Sequence, residues 1–376
     1  MTAKHIALHG QPVPDALYES MHALVEKTEV YRNPFFHPQF INAVSKTRED
    51  VHVFWEEDEK GLRYFWTMQI NKARIARGIG GPFADRNGPV LRNDVALDIE
   101  TFLADNNLRK FITNGFVHSD LAITDSFETE LNCEAFIETS YEDFYQVQKK
   151  EHNSQFKRWR RAKRQLEEEF ESVEFNFDDP SDKNFEKILE MKQNQYLETG
   201  LHNVLGPDWT HALFRELRQS QDEDFRLRVI TLTVDGIMVA GEINLQSRDT
   251  LHGWIVVYDR DYRKYCLGYL LVLYILEQLK PNGLSYYDFG PGSEHYAKYL
   301  TNLRKPLGVG VIRPDNKSVS LNIVIEKLWR SAENRLPEKL GRLFQKIRRR
   351  SDQIFATEVD FMPRVKGLLY ALKSKR

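Results

Sequence analysis

Two stretches of the chain alternate between apolar and polar residues, which is the pattern of a β-strand with one buried face. The first runs from Val51 to Gln69 around a charged turn, and the second runs from Leu227 to Leu245. In the second, Asp235-Gly236 separates two β-branched runs, and this dipeptide suits a type I′ turn because both central residues need positive φ. Each stretch is therefore predicted to be a β-hairpin.

Helical and strand patterns alternate after the second hairpin. A strand is predicted over Thr250–Tyr258 and a helix over Leu267–Leu279. They are followed by a strand over Ser285–Phe289, a short helix from about Glu294 and a strand over Leu307–Ile312. A long helical segment over Tyr141–Glu171 precedes the hairpin. This order predicts a unit of the α/β (α+β) class built on a mixed sheet.

The first part of the chain has a similar order of elements in a weaker form. Its hairpin is followed by a predicted helix over Ile99–Asn114 and by strands near Val117–Thr124 and Ala135–Glu138. A chain of 376 residues also exceeds the size at which one core usually stops growing. We therefore expect two related units and a basic helical tail, over residues 1–140, 141–318 and 319–376.

The end of the chain is strongly basic. The net charge of the whole chain is −2, yet residues 335–376 hold twelve Lys and Arg against four Asp and Glu, a local balance of +8. Apolar residues recur there at helical spacing, at Leu340, Leu343, Phe344 and Ile347. The tail is interpreted either as packing helices with a solvated rim or as a contact for an anionic membrane surface or a partner.

Cysteine usage and hydropathy narrow the class of protein. Cys133 and Cys266 lie far apart and outside any CxxC or Cys/His cluster, which argues against a disulfide framework and a structural zinc site. The first residues lack the pattern of a signal peptide. The longest apolar run, Cys266–Leu276, has about eleven residues, whereas a membrane span needs ~20. We expect a cytoplasmic protein without a bound metal, with peripheral contact at the inner membrane as an option for the tail.

The tripeptide Asp288-Phe289-Gly290 occurs in protein kinases, where its aspartate holds magnesium. A kinase also needs a Gly-rich strand pair over the phosphates, a strand lysine and an H-R-D-type loop. The sequence has none of these, and Gly78–Gly81 runs directly into Pro82 instead of opening a helix. The tripeptide is therefore interpreted as the end of a core strand and not as a metal site.

A basic turn precedes the apolar helix of the second unit. It contains Arg260, Arg263 and Lys264, and Gly268 follows at the start of the helix. The first N–H groups of a helix have no intrahelical acceptor and lie at the positive end of its dipole. The junction is therefore a candidate site for a phosphate or pyrophosphate group, although basic residues also occur at helix starts for solubility alone.

The order hairpin, strand, basic turn with glycine, apolar helix, strand and helix resembles the core of GNAT acyltransferases. Five stretches carry the resemblance: NPFFHPQF (33–40), ADRNGPVL (84–91), KRWRRAKRQL (157–166), YRKYCLGYLL (262–271) and YYDFGPGSEHYAK (286–298). In these stretches the chain is similar to the acetyltransferase branch linked to cellulose biosynthesis, which is related to the FemAB-type transferases. The resemblance implies two tandem GNAT-like units, with acyl-CoA held by the second.

The resemblance also implies which residues hold the donor. They surround the basic turn and are Tyr258, Arg263, Lys264, Leu267, Gly268 and Tyr269. GNAT enzymes usually hold pyrophosphate on a turn of the form Arg/Gln-x-x-Gly-x-Gly/Ala, whereas four non-glycine residues separate Arg263 from Gly268 here. In the family a Tyr-Lys pair follows the next strand; Tyr296 keeps its place, but Ala297 replaces the lysine and Lys298 lies one residue later.

Acyl transfer needs a base for the nucleophile and a proton donor for the leaving thiolate. Glu242 on the hairpin and His252 on the next strand are candidate bases, and Asp288 could position the substrate or act as a base. The resemblance implies that Tyr296 protonates the thiolate. The alternatives are an exposed strand charge for Glu242, a hydrogen-bonded and partly buried ring for His252, and a packing aromatic for Tyr296.

A basic helical stretch precedes the second hairpin. From Lys149 to Arg164 it has eight basic residues and one acidic residue, and the acidic run EEEFE follows. Such a helix can simply be solvated, or it can hold an anionic substrate. In the second case the expected contacts are Arg160, Arg161, Arg164 and Lys298.

Three functions follow from these features. The leading hypothesis is an acyl-CoA-dependent N- or O-acyltransferase, such as an acetyltransferase, that acts on a glycan or amine acceptor in a bacterial cell-envelope or exopolysaccharide precursor. The second is a FemAB-like transferase that takes its donor from aminoacyl-tRNA, which would bind with a steep salt dependence. The third is a non-catalytic GNAT-like module that docks on a membrane or a partner.

Overall fold

The computed structural model describes residues 3–117, 128–199, 201–220, 222–291, 294–314, 354 and 356–358. The first half of the chain contains β1 (Lys4–Ala7), α1 (Asp15–Glu26), α2 (Pro38–Thr47), β2 (Val51–Asp58), β3 (Gly61–Ile70), β4 (Ile75–Arg77), β5 (Val90–Leu91), α3 (Ile99–Asp105), β6 (Lys110–Phe116) and β7 (Glu128–Phe136).

The second half follows with α4 (Tyr141–Glu151), α5 (Asn153–Glu169), β8 (Val173–Asn176), α6 (Asp182–Thr199), α7 (Asp208–Arg218), β9 (Phe225–Val234), β10 (Ile237–Ser247), β11 (Thr250–Tyr258), α8 (Leu267–Gln278), β12 (Tyr286–Pro291), α9 (Glu294–Leu300) and β13 (Leu303–Ile312). Both predicted hairpins are present, as β2–β3 and β9–β10. At the tip of the second, Asp235 and Gly236 both have positive φ, at 48° and 76°, as a type I′ turn requires.

The strands of the described residues form one thirteen-stranded mixed sheet in the order β1-β2-β3-β4-β6-β13-β7-β12-β11-β10-β9-β8, with β5 paired to β3. Each half contributes one parallel pair, β4 with β6 and β11 with β12. At the centre the halves exchange strands, because β13 pairs with both β6 and β7, and β7 pairs with β12. The predicted mixed α/β architecture of two related units is confirmed, and the two units share one continuous sheet.

The two faces of the sheet carry different cores. On one face, α1, α2, α6 and α7 bury an apolar cluster that includes Phe40 of the first unit and Phe214 and Ile255 of the second. On the other face, α4, α5 and α8 cover the second unit, and α3 covers the first. Because side chains alternate along a strand, neighbouring residues of β11 and β12 point to opposite faces. Residues next to each other in sequence therefore serve different sides of the molecule.

Several predicted boundaries were wrong. The predicted helix over Ile99–Asn114 ends at Asp105, because Asn107 takes a left-handed conformation at φ 51° and the chain then forms β6. The long helical segment is two helices, and His152 at φ −124° separates them. The strand predicted near Ala135 begins earlier, at Glu128, and the last strand begins at Leu303 instead of Leu307.

The strand predicted near Val117–Thr124 lies almost wholly outside the described residues, and so does most of the predicted tail. Of the tail, the described residues are Ile354 and 356–358, and they pack on the body: the indole N–H of Trp209 in α7 donates to the carbonyl of Thr357 at 2.9 Å. Among the helices of the described chain, none has the length and apolar composition that a membrane crossing requires.

Candidate active site

The parallel strands β11 and β12 are paired only at one end. Thr250 to His252 lie opposite Tyr286 to Asp288. Beyond this point β11 continues to Tyr258 along β10, while Pro291 of β12 pairs with β7. The two strands therefore separate immediately after His252 and Asp288. The tripeptide Asp288-Phe289-Gly290, which was interpreted as the end of a core strand, lies in the last residues of β12.

A β-bulge lies at the point of separation. Between Ile243 and Asn244 the register of β10 with β11 shifts, so that Gly253 and Ile255 have partners and Trp254 does not. The extra residue re-aims the strand. The indole N–H of Trp254 then donates to the carbonyl of Phe83 in the first unit, at 2.7 Å.

Glu242 projects from β10 toward the α8 face of the sheet. The side chain is buried, the hydroxyl of Tyr287 donates to Oε1, and Oε2 has no hydrogen-bond partner. Burial raises the pKa of Glu242 to about 7, against the opposing effects of the Tyr287 hydrogen bond and of the charges on His252 and Lys192. A Cβ at Gly253 would lie 2.6 Å from Oε1, so the carboxyl fits here because residue 253 has no side chain. The result is a carboxyl that changes its charge near neutral pH.

Tyr296 reaches the start of α8 from α9. Its hydroxyl lies against Gly268, where a Cβ would be 2.5 Å from the oxygen. The ring packs beside Tyr269 and stacks on Phe289, with centroids 5.0 and 6.0 Å away. Burial first, and then the nearby charge of Glu242, raise the pKa of Tyr296 well above its usual value, so the hydroxyl keeps its proton. A protonated hydroxyl is thus held at a helix N-terminus, near an ionisable carboxyl.

His252 lies on the opposite face and is fully buried between two carboxylates. Its Nε2 is 3.3 Å from Asp85 Oδ2, and its Nδ1 is 3.5 Å from Asp288 Oδ2. The ring also contacts Phe35 edge to face. Burial alone would lower the pKa of His252, but the two carboxylates outweigh it and raise the pKa to about 9. His252 is therefore an imidazolium at neutral pH.

Asp288 is buried among donors that come largely from the first unit. Arg86 Nη2 donates to both carboxylate oxygens at 2.8 and 3.1 Å, and Asn33 Nδ2 donates at 2.8 Å. The N–H of Gly290 donates at 2.8 Å. Burial raises the pKa of this carboxyl, but the Arg86 and His252 charges and these hydrogen bonds outweigh it and hold the pKa far below its usual range. Asp288 is therefore ionised and saturated with partners.

Two residues of the basic turn before α8 contact α5. Lys264 donates to Glu169 at 2.7 Å, and the hydroxyl of Tyr265 donates to the same carboxylate. Cys266 takes a left-handed conformation at φ 55° where α8 begins, followed by the buried Leu267 and Gly268. Arg263 and Tyr258 are exposed beside this helix start. Of the residues expected at the donor phosphates, Arg263 and Lys264 are thus the exposed cations, and Lys264 is paired with Glu169.

The basic helix α5 lies next to this helix start. It buries Phe156, Trp159, Ala162 and Leu166, and the Trp159 ring stacks on Tyr269 of α8 with centroids 4.6 Å apart. Arg160, Arg161 and Arg164 are exposed on the outer side. Lys298 is exposed on α9, over the ring of Tyr299. The structure therefore places these four cations on the surface, outside both buried clusters.

The residues expected from sequence fall into two buried groups and a rim. Glu242 and Tyr296 lie on the α8 face, while His252 and Asp288 lie on the other. Sequence reasoning missed the partners Asn33, Asp85, Arg86 and Tyr287. The signal was present, since three of these lie in NPFFHPQF and ADRNGPVL and the fourth directly precedes Asp288. Among the residues that the structure describes, no cluster of three or more His, Cys, Asp or Glu has the geometry of a metal site.

Comparison with known proteins supports the fold. Residues 153–298 match the family model described as Acetyltransferase (GNAT) domain. The structure of FemX superposes with a TM-score of 0.55 at 9% identity, over 83% of this chain and 96% of that chain. A tandem GNAT protein from the clavulanic acid biosynthesis pathway gives a TM-score of 0.47 at 9% identity, over 84% of this chain and 100% of that chain. No curated protein matches the sequence.

The second unit is GNAT-like in sequence, and the FemX superposition supports the mixed α/β fold over most of the chain. The matched segment contains the two buried groups of the second unit, the basic turn and α5. The similarity to the branch linked to cellulose biosynthesis stays a prediction.

Proposed function

We propose that the protein is an acyl-CoA-dependent acyltransferase whose reacting groups meet where β11 and β12 separate. The observation that carries the proposal is the pair formed by Glu242, buried with a free Oε2, and Tyr296, whose hydroxyl lies against Gly268 at the start of α8. A GNAT-type match over the same residues supports it.

Glu242 is the group best suited to accept a proton. Asp288 is saturated by Arg86, Asn33 and Gly290, and His252 is already protonated at neutral pH. Glu242, with a pKa of about 7 and an unsatisfied oxygen, is half ionised near neutrality and can take a proton from an amine or hydroxyl. His252 and Asp288 then act as positioning residues that hold the first unit against the separated strands.

Tyr296 is the group best suited to supply a proton. In the proposed reaction the acceptor nitrogen or oxygen forms a bond to the acyl carbon, its proton passes to Glu242, and the carbon–sulfur bond breaks. The thiolate that leaves takes the proton of the Tyr296 hydroxyl. Tyr296 is then reprotonated from solvent, and Glu242 releases the acceptor's proton to solvent. The raised pKa of Tyr296 keeps this proton in place until a base appears beside it.

Binding of acetyl-CoA to the full chain tests the proposal. Isothermal titration should give saturable binding, whereas no detectable binding at millimolar ligand would refute it. Tyr296→Phe should retain binding and lose turnover by about 10²-fold or more, because the ring still packs but no proton is delivered. Tyr299→Phe on the same short helix is the matched control, and it should leave both quantities near wild type.

We further propose that the acceptor is part of a cell-envelope or exopolysaccharide precursor, in a cytoplasmic protein that contacts the inner membrane peripherally through its basic tail. The scattered family motifs and the +8 balance of residues 335–376 support this. Anionic vesicles should pull down the full chain but not a chain that ends near residue 317. Equal recovery of both chains would contradict membrane contact through the tail.

A second function, transfer from an aminoacyl-tRNA, is supported by the exposed cations of α5. Arg160, Arg161 and Arg164 form an outward basic face beside the start of α8. A polyanion on this face would bind with a strong salt dependence. Charged tRNA that binds while acetyl-CoA does not would select this function over the first.

A further inference from the structure

The helix α6 packs closely on the strands that carry the candidate site. A Cβ at Gly241 of β10 would lie 2.6 Å from the side chain of Ile188, so the helix comes this close because residue 241 has no side chain. One turn further along α6, Lys192 lies on the same side of the helix as Ile188. Its ammonium group donates to the carbonyl of Val256 in β11 at 3.3 Å. The packing of Ile188 on Gly241 therefore brings a lysine to β11.

The carbonyl of Val256 points into the gap that β12 has left. The N–H of Asp259 donates to the Val239 carbonyl of β10 at 2.7 Å, so the backbone of Asp259 faces β10. The backbone groups of successive residues in a strand face opposite sides, so Val256, three residues earlier, faces away from β10. On that side the described pairing of β11 with β12 ends at His252. The ammonium group of Lys192 thus lies at the edge of the gap between β11 and β12.

Within the described chain, the charge of Lys192 has no carboxylate in ion-pair contact. Its Nζ lies 5.5 Å from the centroid of the Tyr196 ring. The side chain is partly buried, and burial lowers the pKa of Lys192 against the opposing effect of the Glu242 charge. The Lys192 charge in turn acts to lower the pKa of Glu242, so the two groups interact across the gap. A cation held away from water without an ion pair costs free energy, and such a cation is a candidate for function.

His252 is also a cation at the point where the strands separate, but its two nitrogens face carboxylates. These are the side chains of Asp85 and Asp288. Lys192 has three N–H donors, and among the described residues only the Val256 carbonyl accepts from one of them, so donors remain for a bound molecule. Of the two cations, Lys192 is therefore the one that can donate to a group in the gap.

We infer that Lys192 is a further catalytic residue, whose ammonium group donates to the acyl oxygen of the bound thioester; this rests on the proposed function. When the acceptor attacks, a bond forms to the acyl carbon, and the electron pair of the carbon–oxygen π bond moves to the oxygen. This negative charge forms beside a cation that is already in place and partly shielded from water, which stabilises it. When the carbon–sulfur bond breaks, the π bond re-forms, and Lys192 keeps its proton throughout.

The test uses the full chain and a ketone analogue of acetyl-CoA, in which a methylene group replaces the sulfur and the carbonyl carbon is labelled with ¹³C. Because its carbon–carbon bond does not break, the analogue reports contact with the carbonyl oxygen without any acceptor. The ¹³C resonance should move downfield when the analogue binds to the wild type, since donation to the oxygen polarises the carbonyl. Lys192→Met keeps a long side chain without N–H donors, and it should lose most of this shift.

Lys187→Met is the matched control. Lys187 is also partly buried on α6, and it also donates to a strand carbonyl, that of Met238 in β10, at 2.9 Å. This variant should keep the full shift, whereas a loss caused only by weaker packing of α6 would appear in both variants. Equal shifts in the wild type and in Lys192→Met, or equal losses in the two variants, would overturn the inference.

A second measurement needs no bound donor. The Glu242 carboxyl, followed by NMR of labelled glutamate and assigned by its absence from Glu242→Gln, should titrate at higher pH in Lys192→Met, because the ammonium group no longer favours the ionised form. Its titration should be unchanged in Lys187→Met, and an unchanged titration in Lys192→Met would also overturn the inference. If acetyl-CoA does not bind to the wild type, the proposed function fails and the inference fails with it. If acetyl-CoA binds and Lys192→Met keeps the carbonyl shift, only the inference fails.

Discussion

Each unit has one pair of parallel strands that separate, but the chain treats the two gaps differently. In the first unit, β4 and β6 are paired from Ile75 to Arg77, and the loop after β4 then returns between them. The N–H of Asn87 donates to the Gly115 carbonyl at 2.9 Å, and the N–H of Val117 donates to the Asn87 carbonyl at 2.8 Å. In the second unit, Gly253 to Tyr258 continue beyond the paired region toward the start of α8 and Tyr296.

Glycines show how closely the first gap is filled. A Cβ at Gly115 would overlap the carbonyl oxygen of Asp85, and a Cβ at Gly78 would lie 2.7 Å from Asn87. The backbone of residues 85–88 therefore lies beside β6 beyond the end of β4. The same loop also sends Asp85 and Arg86 to the second unit. We expect the donor site to lie in the second unit.

The largest expected effect of a single change is at Glu242. Glu242→Gln keeps the shape but removes the base, so kcat should fall about 10²- to 10⁴-fold. In the wild type, kcat/KM should rise as the pH rises through about 7, because Glu242 acts in its ionised form. This rising limb should be absent from the residual activity of the variant. Glu57→Gln, an exposed position in β2 of the first unit, is the control, and similar losses in both variants would contradict a special role for Glu242.

The contact between the units should depend strongly on Asp288. Asp288→Asn leaves Arg86 and His252 buried without their shared anion, so the free energy of unfolding should fall by about 3–5 kcal/mol. Asp58→Asn breaks an ion pair with Arg92 that lies on the surface of the first unit, and it should change stability little. Urea unfolding of the two variants measures the difference. Equal and small losses would mean that the buried cluster does not hold the units together.

Two glycine substitutions compare the gap between β4 and β6, which backbone fills, with the gap between β11 and β12, where the reacting groups are proposed to meet. Gly115→Ala pushes against backbone in the first unit, so it should cost about 1–3 kcal/mol of stability and leave acetyl-CoA affinity unchanged. Gly268→Ala pushes against the Tyr296 hydroxyl, so turnover should fall on the order of 10²-fold with little loss of stability. Unfolding curves and turnover of both variants are the measurement. A loss of turnover in Gly115→Ala together with a loss of stability in Gly268→Ala would refute the proposal that the reacting groups meet between β11 and β12.

The smallest expected effect is on the rim. Replacing Arg160, Arg161 and Arg164 together by Gln should weaken acetyl-CoA binding by only about two- to fivefold at low salt, since exposed charges are screened by water and ions. The control replaces three exposed lysines of the first unit, Lys27, Lys60 and Lys72. Titrations at two salt concentrations check this. An effect that is large and independent of salt would place these arginines inside the binding site.

Local sequence patterns predicted the elements whose structure is set by residues close together in the sequence. The β9–β10 hairpin follows from Asp235-Gly236, and the elements from Thr250 to Leu300 follow from hydrophobic periodicity. The helices α6 and α7 were not predicted. The exchange of β7 and β13 could not be predicted either, because strand neighbours that are distant in sequence leave no periodic signal in either strand.

In the candidate site, too, single residues could be predicted from the sequence but their spatial neighbours could not. Glu242, His252 and Asp288 were named from their residue types on predicted strands, and Tyr296 was named from the family resemblance. Their roles stay predictions. Their grouping needed the structure, since His252 and Glu242 point to opposite faces and Asp85 and Arg86 arrive from a loop far away in the sequence. Alternation along a strand could have separated the faces, but the bulge at Trp254 shifts that alternation.

The exchange of strands at the centre of the sheet has a consequence for how the protein is made. β6 and β7 lie on either side of β13, so the sheet of the first unit cannot close until Leu303–Ile312 has left the ribosome. At typical rates of synthesis, the about 170 residues between β7 and β13 take on the order of 10–30 seconds. During that interval β6 and β7 wait with unpaired edges, which is the state most open to aggregation. Expression yield should therefore respond to chaperones and to slowed growth more strongly than the stability of the finished protein would suggest.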